Sequence, residues 1–336
     1  MKDQPPSLLK PEAWRFLLEI LGTDITVARA SEDASFRSYY RVRIHGGNSF
    51  ILMDAPPTHE DVRPFVDIGR FLFEHGVSVP KILAQNVETG HLLLEDFGDQ
   101  TFLKALAAGV EAEGLYRRAV ETLVTLQATP WDHTCLAHSR PYDRELLHRE
   151  LALFTDWYVE GILKRPISPS DRQQFEMVFA VLMENILAQP VCLVHRDYHS
   201  RNLMWCAGER VGVLDFQDAV MGPVTYDLAS LLRDCYVAWE APFRKRVQRY
   251  WLEHAQDPWH YGQDWSRFEK DFDWMALQRN LKAVGIFGRL SLRDGKHGYL
   301  ADIPRTLGYV WEVLPRYPQL EPLHDLLQRY IARVEA

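Results

Sequence analysis

A polar segment between two apolar runs constrains the fold of this chain more than any other feature. The segment has the spacing H-x-D-x4-N, and its three polar residues are His195, Asp197 and Asn202. The flanking runs, Val191–Val194 and Val211–Leu214, are short and rich in β-branched residues, which predicts two strands joined through a polar loop. Asp215 follows the second run directly. The sequence therefore predicts that two carboxylates and one amide lie close together at the ends of neighbouring strands.

These residue types are the ones needed to move a phosphoryl group from a nucleotide to a hydroxyl. Asp197 is placed to accept or steer the proton of the incoming hydroxyl, while the amide of Asn202 and the carboxylate of Asp215 suit Mg2+. A competing interpretation uses His195 and His199 as zinc ligands on a helix. That pair lacks the glutamate of the H-E-x-x-H pattern, so we favour phosphoryl transfer.

Length and charge narrow the class of protein further. The chain has 336 residues, with 38 Lys and Arg against 46 Asp and Glu, and a net charge of −8. The length favours two lobes around a cleft, and the acidic balance argues against nucleic acid or a membrane surface as the main partner. The N-terminus has no apolar export core, and the four cysteines lie far apart. We therefore expect a cytoplasmic protein with reduced thiols and no obligate protein partner.

An α+β architecture follows from the order of the predicted elements. Residues 1–98 are predicted to form a β-rich lobe that covers the nucleotide, with helices at Pro11–Leu21 and Asp61–His75. The predicted strands of this lobe are Ile25–Ala28, Tyr39–Ile44, Phe50–Met53, Ile82–Gln85 and Leu92–Glu95. The polar, glycine-containing segment Glu95–Asp99 marks the hinge at its end.

Residues 99–336 are predicted to form a larger, mostly helical lobe that carries the catalytic and substrate-binding residues. Prolines fall between its helices, where they interrupt the backbone least. The helices are predicted at Thr101–Leu106, Glu113–Ala128, Tyr142–Leu163, Ser170–Ala188, Tyr226–Cys235, Ala241–His254, Asp271–Leu290 and Leu323–Val334. One stripe of the seventh helix is apolar, which predicts a buried face made of Trp274, Leu277, Leu281 and Val284.

Three stretches of the chain resemble a known superfamily. They read L-V-H-R-D-Y-H-S-R-N-L at 193–203, V-L-D-F-Q-D-A at 213–219 and G-P-V-T-Y-D-L-A-S-L at 222–231. On these motifs the chain resembles the aminoglycoside phosphotransferase and choline kinase superfamily over nearly its whole length. The resemblance implies a two-lobed protein-kinase-like fold and an enzyme that uses ATP and Mg2+ to phosphorylate a small molecule.

Further segments are similar to one subgroup of that superfamily. They are D-A-S-F-R-S-Y-Y-R-V at 33–42, L-M-D-A-P-P at 52–57 and Q-R-N-L-K-A-V-G-I-F-G-R-L at 278–290. The subgroup phosphorylates N-acetylmuramate and N-acetylglucosamine at the anomeric C1 hydroxyl in bacterial peptidoglycan recycling. Two alternatives stay open. An aminoglycoside- or choline-type kinase would need acidic residues around a cationic acceptor, and a nucleotide-binding pseudokinase would act as a regulator.

The resemblance also implies roles for individual residues. Asp197 is implied to be the catalytic base, and Asn202 and Asp215 are implied to bind Mg2+. The segment Glu95–Phe97 is implied to be the hinge whose backbone meets adenine. Asp227 is expected to brace the catalytic loop from the start of a helix, although an acidic residue is equally typical of a helix N-terminus in general.

The sequence departs from the superfamily on the nucleotide side. Met53 stands on the third predicted strand, where kinase-like folds usually place a lysine that pairs with the phosphates. The usual glycine-rich loop is replaced by residues 31–38, where Ser35 can offer N–H and hydroxyl groups to phosphate oxygens. Arg37 or Arg43 could supply the missing charge, because a guanidinium binds phosphate through two parallel hydrogen bonds. Otherwise each arginine is an ordinary solvated charge.

The acceptor side is expected to carry a cation. N-acetylmuramate has a lactyl carboxylate, which a charge-assisted hydrogen bond would recognise. Four basic residues of the seventh helix and its following loop are candidates, and at least one should face inward: Arg279, Lys282, Arg289 and Arg293. His199 of the catalytic loop is also assigned to the substrate. Four tryptophans between residues 251 and 274 are expected mainly to pack the core, although aromatic faces also stack on sugars.

Overall fold

The computed structural model describes residues 7–31, 36–255 and 259–331, and it confirms the predicted mixed architecture. The first part of the chain forms a five-stranded antiparallel sheet with the order β1-β2-β3-β5-β4. Its strands are β1 (Ile25–Ser31), β2 (Ser38–Ile44), β3 (Ser49–Asp54), β4 (Ile82–Asn86) and β5 (His91–Glu95). All five predicted strands are present, each extended by a few residues.

Two helices pack against this sheet, α1 (Pro11–Leu21) and α2 (Arg63–Glu74). The apolar face of α1 is buried in a small core shared with β2, β3 and β5. Helix α2 instead joins the larger core, where the ring of Phe65 lies 4.7 Å from that of Phe216. A Cβ at Gly69 would lie 2.9 Å from the same Phe216 ring, so the missing side chain permits this close contact. The sheet is thereby linked to the segment that carries Asp215.

The rest of the chain is mostly helical. Its helices are α3 (Phe102–Ala107), α4 (Ala112–Gln127), α5 (Arg144–Leu153), α6 (Pro169–Leu187), α7 (Tyr226–Leu232), α8 (Ala241–His254), α9 (Trp265–Asp294), α10 (Ile303–Val313) and α11 (Glu321–Tyr330). Helix α9 runs through the core, and the predicted stripe that begins at Trp274 is buried. Within the three described ranges, no helix is both long and apolar enough to cross a bilayer.

Close backbone contact explains one difference from prediction. The single helix expected over Tyr142–Leu163 is α5 followed by a π-helix at Phe154–Ile162. The junction presses against α9, where a Cβ at Gly285 would lie 2.3 Å from the backbone of Leu153. The pattern of hydrophobic residues carries no information about such a contact, so the π-helix could not be predicted from the sequence. Helix α10 was also not predicted, and its sequence carries Pro304 and Gly308, which weaken a helical pattern.

The polar loop sits between two short ladders. These are β6 (Val191–Val194) with β9 (Val220–Pro223), and β7 (Leu203–Cys206) with β8 (Arg210–Val213). The two apolar runs predicted as strands are therefore in different ladders, and β7 begins directly after Asn202. The backbone N–H of Leu214 donates a 2.9 Å hydrogen bond to the carbonyl of Asn202, which continues the β7–β8 pairing up to the end of the loop. The lobe boundary at 98/99 stays a prediction.

Candidate active site

Two buried carboxylates hold the backbone of the catalytic loop, residues 195–202. Asp227 of α7 accepts hydrogen bonds from the backbone N–H groups of His195, at 2.7 Å, and Arg196, at 3.0 Å. Asp234 accepts one from the backbone N–H of Ser200 at 2.9 Å. The contacts of Asp227 match the bracing role expected from the sequence. Burial raises the pKa of the Asp227 carboxyl to about 6, because the charged form has little access to water. The two backbone N–H groups act in the opposite direction, since they stabilise that charged form.

Two non-glycine residues in this region adopt left-handed backbone conformations. The angle φ is 78° at Arg196 and 65° at Asp215. Such conformations cost roughly 1–3 kcal/mol each and persist only where surrounding contacts enforce them. They occur next to Asp197 and at Asp215 itself, which lies two residues after the end of β8.

Asn202 brings the three predicted residues together. Its Nδ2 donates a 3.0 Å hydrogen bond to the backbone oxygen of Asp197 and lies 3.5 Å from Oδ2 of Asp215. Because Nδ2 is engaged in this way, the amide oxygen Oδ1 is the atom of Asn202 that suits a cation. The second oxygen of Asp215, Oδ1, accepts a 2.8 Å hydrogen bond from Nε2 of Gln217. Gln217 therefore orients the carboxylate from its other side.

The donor set fits Mg2+ better than zinc. An amide oxygen and a carboxylate oxygen, from Asn202 and Asp215, are hard ligands, and Mg2+ commonly completes its shell with water and phosphate oxygens. Among the residues that the structure describes, no group of three His, Cys, Asp or Glu side chains is arranged to hold a metal ion. The zinc interpretation, which used His195 and His199, is therefore not supported by these residues.

Two basic residues of α9 lie close enough to Asp197 to lower the pKa of its carboxyl group. Burial opposes ionisation of Asp197, yet the charges of Lys282 and Arg279 help to hold the pKa of its carboxyl well below the ordinary value. Both basic side chains are buried. Lys282 Nζ donates a 2.6 Å hydrogen bond to the hydroxyl of Tyr226, whereas Nε and Nη1 of Arg279 have no hydrogen-bond partner within the described part of the chain. Helix α9 thus directs two cations inward.

Glu150 of α5 connects these cations to the catalytic loop. Its Oε1 lies 2.6 Å from Nη2 of Arg196 and 3.7 Å from Nζ of Lys282. Its Oε2 accepts hydrogen bonds from Gln278, at 3.0 Å, and from the hydroxyl of Tyr142. Burial disfavours its charged form, but Lys282 and Arg196 outweigh burial and lower the pKa of Glu150. Sequence reasoning missed this residue, because a single glutamate in a helix carries no signal that sets it apart from a solvated one.

His199 is a neutral neighbour of Asp197 rather than a further cation. Burial lowers its pKa to about 4, so the ring is uncharged near pH 7. Its Nδ1 is buried without a hydrogen-bond partner among the described residues. The ring lies edge-on to Tyr236, with centroids 5.4 Å apart. A neutral imidazole beside the base can donate or accept a hydrogen bond without changing the charge of the site.

The other two basic candidates on α9, Arg289 and Arg293, lie nearer to solvent. Arg289 is half-buried, and burial lowers the pKa of its guanidinium. Arg293 is exposed and forms an ion pair with Asp294, with Nε and Oδ1 2.7 Å apart. Of the four basic candidates, Arg279 and Lys282 are therefore the buried ones.

Arg37, which directly precedes β2, reaches the carboxylate of Asp215. Its Nη2 lies 3.2 Å from Oε2 of Glu60, and its Nη1 lies 3.7 Å from Oδ1 of Asp215. Arg43 is exposed, and Met53 is fully buried in β3. Of the two arginines considered from the sequence, Arg37 is thus the one beside Asp215. Glu60 was not predicted, and Ser35, predicted to contact the nucleotide, lies outside the described residues.

The predicted hinge, Glu95–Phe97, leaves the sheet at the end of β5. Asp96 is held by Arg41 of β2, whose Nε lies 2.6 Å from its Oδ2. The ring of Phe97 rests on β8 at Gly212, where a Cβ would lie 2.4 Å from the ring. The segment is therefore fastened to the sheet on one side and to the strand before Asp215 on the other. Its contact with adenine stays a prediction.

Comparison with known proteins shows which family the sequence matches. Residues 26–268 match the phosphotransferase enzyme family, APH. An N-acetylmuramate/N-acetylglucosamine kinase of Pseudomonas putida is 41% identical over 100% of this chain and 96% of its own length. A protein of the same name from Neisseria meningitidis serogroup B is 40% identical over 93% of this chain and 92% of its own.

Solved structures show the same architecture at low sequence identity. The ADP-bound aminoglycoside phosphotransferase APH(2'')-Ib has a TM-score of 0.63 and 14% identity, covering 91% of this chain and 99% of its own. An ethanolamine kinase of Plasmodium vivax has a TM-score of 0.63 and 10% identity, covering 90% of this chain and 85% of its own. At these identities the likeness concerns the fold alone, and it confirms the predicted protein-kinase-like α+β fold.

Proposed function

The chain belongs to the phosphotransferase enzyme family, and from that membership we propose that it transfers the γ-phosphoryl group of ATP to the C1 hydroxyl of N-acetylmuramate and N-acetylglucosamine. The products are the sugar 1-phosphates, and the setting is cytoplasmic peptidoglycan recycling. One observation carries the phosphoryl transfer: Asn202 bonds to the backbone of Asp197 and lies beside Asp215. The names of relatives that are 40% and 41% identical support the choice of sugars.

In this proposal Asp197 orients the anomeric hydroxyl and takes its proton. Because its pKa is lowered, the carboxylate is ionised near neutral pH and is a weak base. A weak base suits a reaction whose transition state is largely dissociative, since the hydroxyl becomes strongly acidic only as its bond to phosphorus forms. The oxygen of C1 then bonds to the γ-phosphorus, the bond from that phosphorus to the bridging oxygen breaks, and ADP leaves.

The nucleotide side is assigned to residues that supply hard ligands and charge. Oδ1 of Asn202 and the carboxylate of Asp215 would hold Mg2+, which neutralises charge on the phosphates when bound. Arg37 takes the place of the absent third-strand lysine, with Glu60 aiming its guanidinium through an ion pair 3.2 Å long. The proposed nucleotide contacts also include Ser35 and the backbone of the Glu95–Phe97 hinge.

The acceptor side is assigned to four residues, His199, Arg279, Lys282 and Arg289. The two buried cations, Arg279 and Lys282, argue against an aminoglycoside- or choline-type acceptor, because a positively charged substrate would be repelled there. The meeting of Asp197, Asn202 and Asp215 argues against the pseudokinase alternative, since a regulator that only binds nucleotide does not need a base beside the metal ligands.

The test is a screen of ATP consumption against sugars, aminoglycosides and amino alcohols, with and without Mg2+. We expect turnover with N-acetylmuramate and N-acetylglucosamine, loss of turnover with a chelator, and a phosphorus NMR signal of an anomeric phosphate ester coupled to H1. Phosphorylation of an aminoglycoside or choline in preference to both sugars would overturn the proposal. Nucleotide binding without turnover on any acceptor would favour the pseudokinase.

A further inference from the structure

An exposed arginine stands at the outer end of the catalytic loop. Arg201 directly precedes Asn202, and its side chain is exposed. Its guanidinium lies over the ring of Tyr236, 3.7 Å from the centroid, and 5.5 Å from the centroid of Tyr299. With the described residues it makes these ring contacts but no hydrogen bond or ion pair. The cation is therefore held by stacking, while its N–H donors are uncommitted within that part of the chain.

The rings that hold Arg201 belong to a continuous aromatic wall beside the base, made of His199, Tyr236, Phe287 and Tyr299. His199 and Tyr236 meet edge to face at 5.4 Å, and Phe287 stacks on Tyr299 at 5.7 Å with an interplanar angle of 16°. Tyr236 and Phe287 join the two pairs at 6.4 Å. The wall thus runs from the catalytic loop to α9 and the residues that follow it.

Stacking prepares a guanidinium for a carboxylate. All five N–H donors of arginine lie in the plane of the group, so a guanidinium that rests on a ring keeps its hydrogen-bonding edge directed away from that ring. Two parallel hydrogen bonds to a carboxylate then need little further loss of side-chain freedom. In contrast, Lys282 is already committed to Tyr226, at 2.6 Å, and to Glu150, at 3.7 Å.

The two sugars share one reacting hydroxyl and differ by one carboxylate, so the basic residues near the site can be assigned to one group or the other. N-acetylmuramate and N-acetylglucosamine share the C1 hydroxyl, which must meet Asp197, and differ by a lactyl carboxylate attached at C3, two ring carbons from C1. Lys282 is buried and lies 3.7 Å from Glu150, which pairs with Arg196 next to Asp197, so we assign Lys282 and its buried neighbour Arg279 to the end where the reaction occurs. Arg201 is instead exposed, and it contacts Tyr236, whose ring in turn meets His199.

We propose that Arg201 binds the lactyl carboxylate of N-acetylmuramate and determines selectivity for this sugar over N-acetylglucosamine. The inference rests on the proposed function and deepens it. Tyr236 is a positioning residue in this scheme, since it acts by holding the guanidinium flat. Arg279 and Lys282 serve the reacting end, which both sugars share.

The experiment compares Arg201→Ala and Arg201→Lys with the wild type, using three acceptors: N-acetylmuramate, its lactyl methyl ester and N-acetylglucosamine. The control is Arg117→Ala, which removes another exposed arginine that lies over a tyrosine, Tyr250, at 5.1 Å. For Arg201→Ala we expect kcat/KM for N-acetylmuramate to fall about 10- to 100-fold, mainly through KM, because a charge-assisted bidentate contact of the ground state is lost.

The other acceptors and variants test whether the effect depends on the carboxylate and on the stacked guanidinium. N-acetylglucosamine and the methyl ester should change by less than about threefold in Arg201→Ala, since neither carries the carboxylate. Arg201→Lys should retain part of the activity on N-acetylmuramate, because an ammonium keeps the charge but not the two-pronged geometry. Replacing Tyr236 by Phe should have little effect, whereas Tyr236→Leu should raise KM for N-acetylmuramate selectively. Arg279→Ala should lower turnover on both sugars alike.

Several outcomes would overturn the assignment. If Arg201→Ala lowered kcat/KM equally for both sugars, Arg201 would act on the phosphate groups of the nucleotide or on the reacting hydroxyl that both sugars share. An unchanged kcat/KM for N-acetylmuramate would remove Arg201 from the acceptor site. A wild type that phosphorylates neither sugar would instead refute the proposed function, and the carboxylate assignment with it. Thermal unfolding of each variant shows whether a loss comes from the fold.

Discussion

The catalytic loop and the phosphate side of the site are held by different kinds of contact. The loop is fixed through its backbone, whose N–H groups donate to the buried carboxylates of Asp227 and Asp234 at 2.7–3.0 Å. On the phosphate side, Arg37 is held through its side chain, by ion pairs to Glu60 and Asp215 at 3.2 and 3.7 Å. The backbone hydrogen bonds fix the conformation of the loop. The guanidinium of Arg37, in contrast, can leave its carboxylate partners and bind phosphate oxygens when a nucleotide is present.

This difference predicts different kinetic effects for the two regions. Substitutions in the anchored loop should lower turnover, because its groups already stand in the geometry that the reaction needs. Substitutions around Arg37 should act on the apparent KM for ATP, because the guanidinium must leave carboxylates to meet phosphate oxygens.

Replacing Asp197 by Asn should lower kcat by about 100- to 10,000-fold while leaving ATP binding nearly unchanged. An amide of the same size keeps the shape of the loop but cannot accept the proton of the acceptor. Steady-state kinetics and isothermal titration with ATP measure the two effects. As a matched control, Asp24→Asn makes the same change at an exposed carboxylate before β1. Retention of more than about a tenth of the turnover would reject Asp197 as the base.

Asp215→Ala should lower kcat by roughly 100- to 1,000-fold and raise the Mg2+ concentration needed for half-maximal activity. The variant removes one of the two proposed protein ligands and the negative charge that pairs with the ion. Activity measured across a Mg2+ series separates lost affinity from lost turnover. An unchanged Mg2+ requirement would show that the ion is coordinated elsewhere.

The proximity of Asp197, Asn202 and Asp215 could be predicted from the sequence because the information is local. Asp197 and Asn202 share one loop, and Asp215 ends the next predicted strand, so their residue types and spacing suffice. Asp227 was predictable for the same reason, since it opens a helix within the same stretch. The resemblance to a known superfamily added the fold and the sugar, which spacing alone does not provide.

The supporting charges could not be predicted, because they come from distant parts of the chain. Glu150 joins a residue 46 positions away, Arg196, to Lys282, which is 132 positions away. Periodicity could not show which basic residues of α9 point inward either, since the helix is buried on several faces and Arg279 lies inside with its apolar neighbours. Arg201 was overlooked because its role depends on Tyr236, which meets it only in the folded chain.

Arg37→Ala should raise the apparent KM for ATP about tenfold, with a smaller effect on kcat, as expected for the loss of one charge-assisted contact to phosphate. Adding Met53→Lys to this variant tests whether the third strand can regain the usual lysine; recovery would identify Arg37 as its substitute. The control is Arg43→Ala, which removes an exposed arginine from β2, the strand that follows Arg37. A kinetically silent Arg37→Ala would assign the phosphate charge to another residue.

The last predicted effect concerns stability in acid rather than catalysis. The pKa of His199 is about 4 in the folded chain because of burial, against an ordinary value of about 6.5 when unfolded. Between these values His199 binds more protons in the unfolded chain than in the folded one, so its contribution to the free energy of unfolding falls as the pH falls from 6.5 to 4. The loss amounts to about 3 kcal/mol at most. The raised pKa of Asp227, about 6, acts with the opposite sign in this range, so the effect of His199 has to be isolated by substitution.

Replacing His199 by Gln removes the titrating group, so urea unfolding should show the variant gaining stability relative to the wild type as the pH falls from 6.5 to 4. His133→Gln is the control, because that ring is 91% exposed. Asp197, whose pKa is lowered, loses its stabilising effect only in more acidic solution, below the pH range measured here. Arg37 does not titrate in this range, so its guanidinium should add nothing to the slope. A His199→Gln profile parallel to that of the wild type would mean that burial of this ring does not limit acid stability.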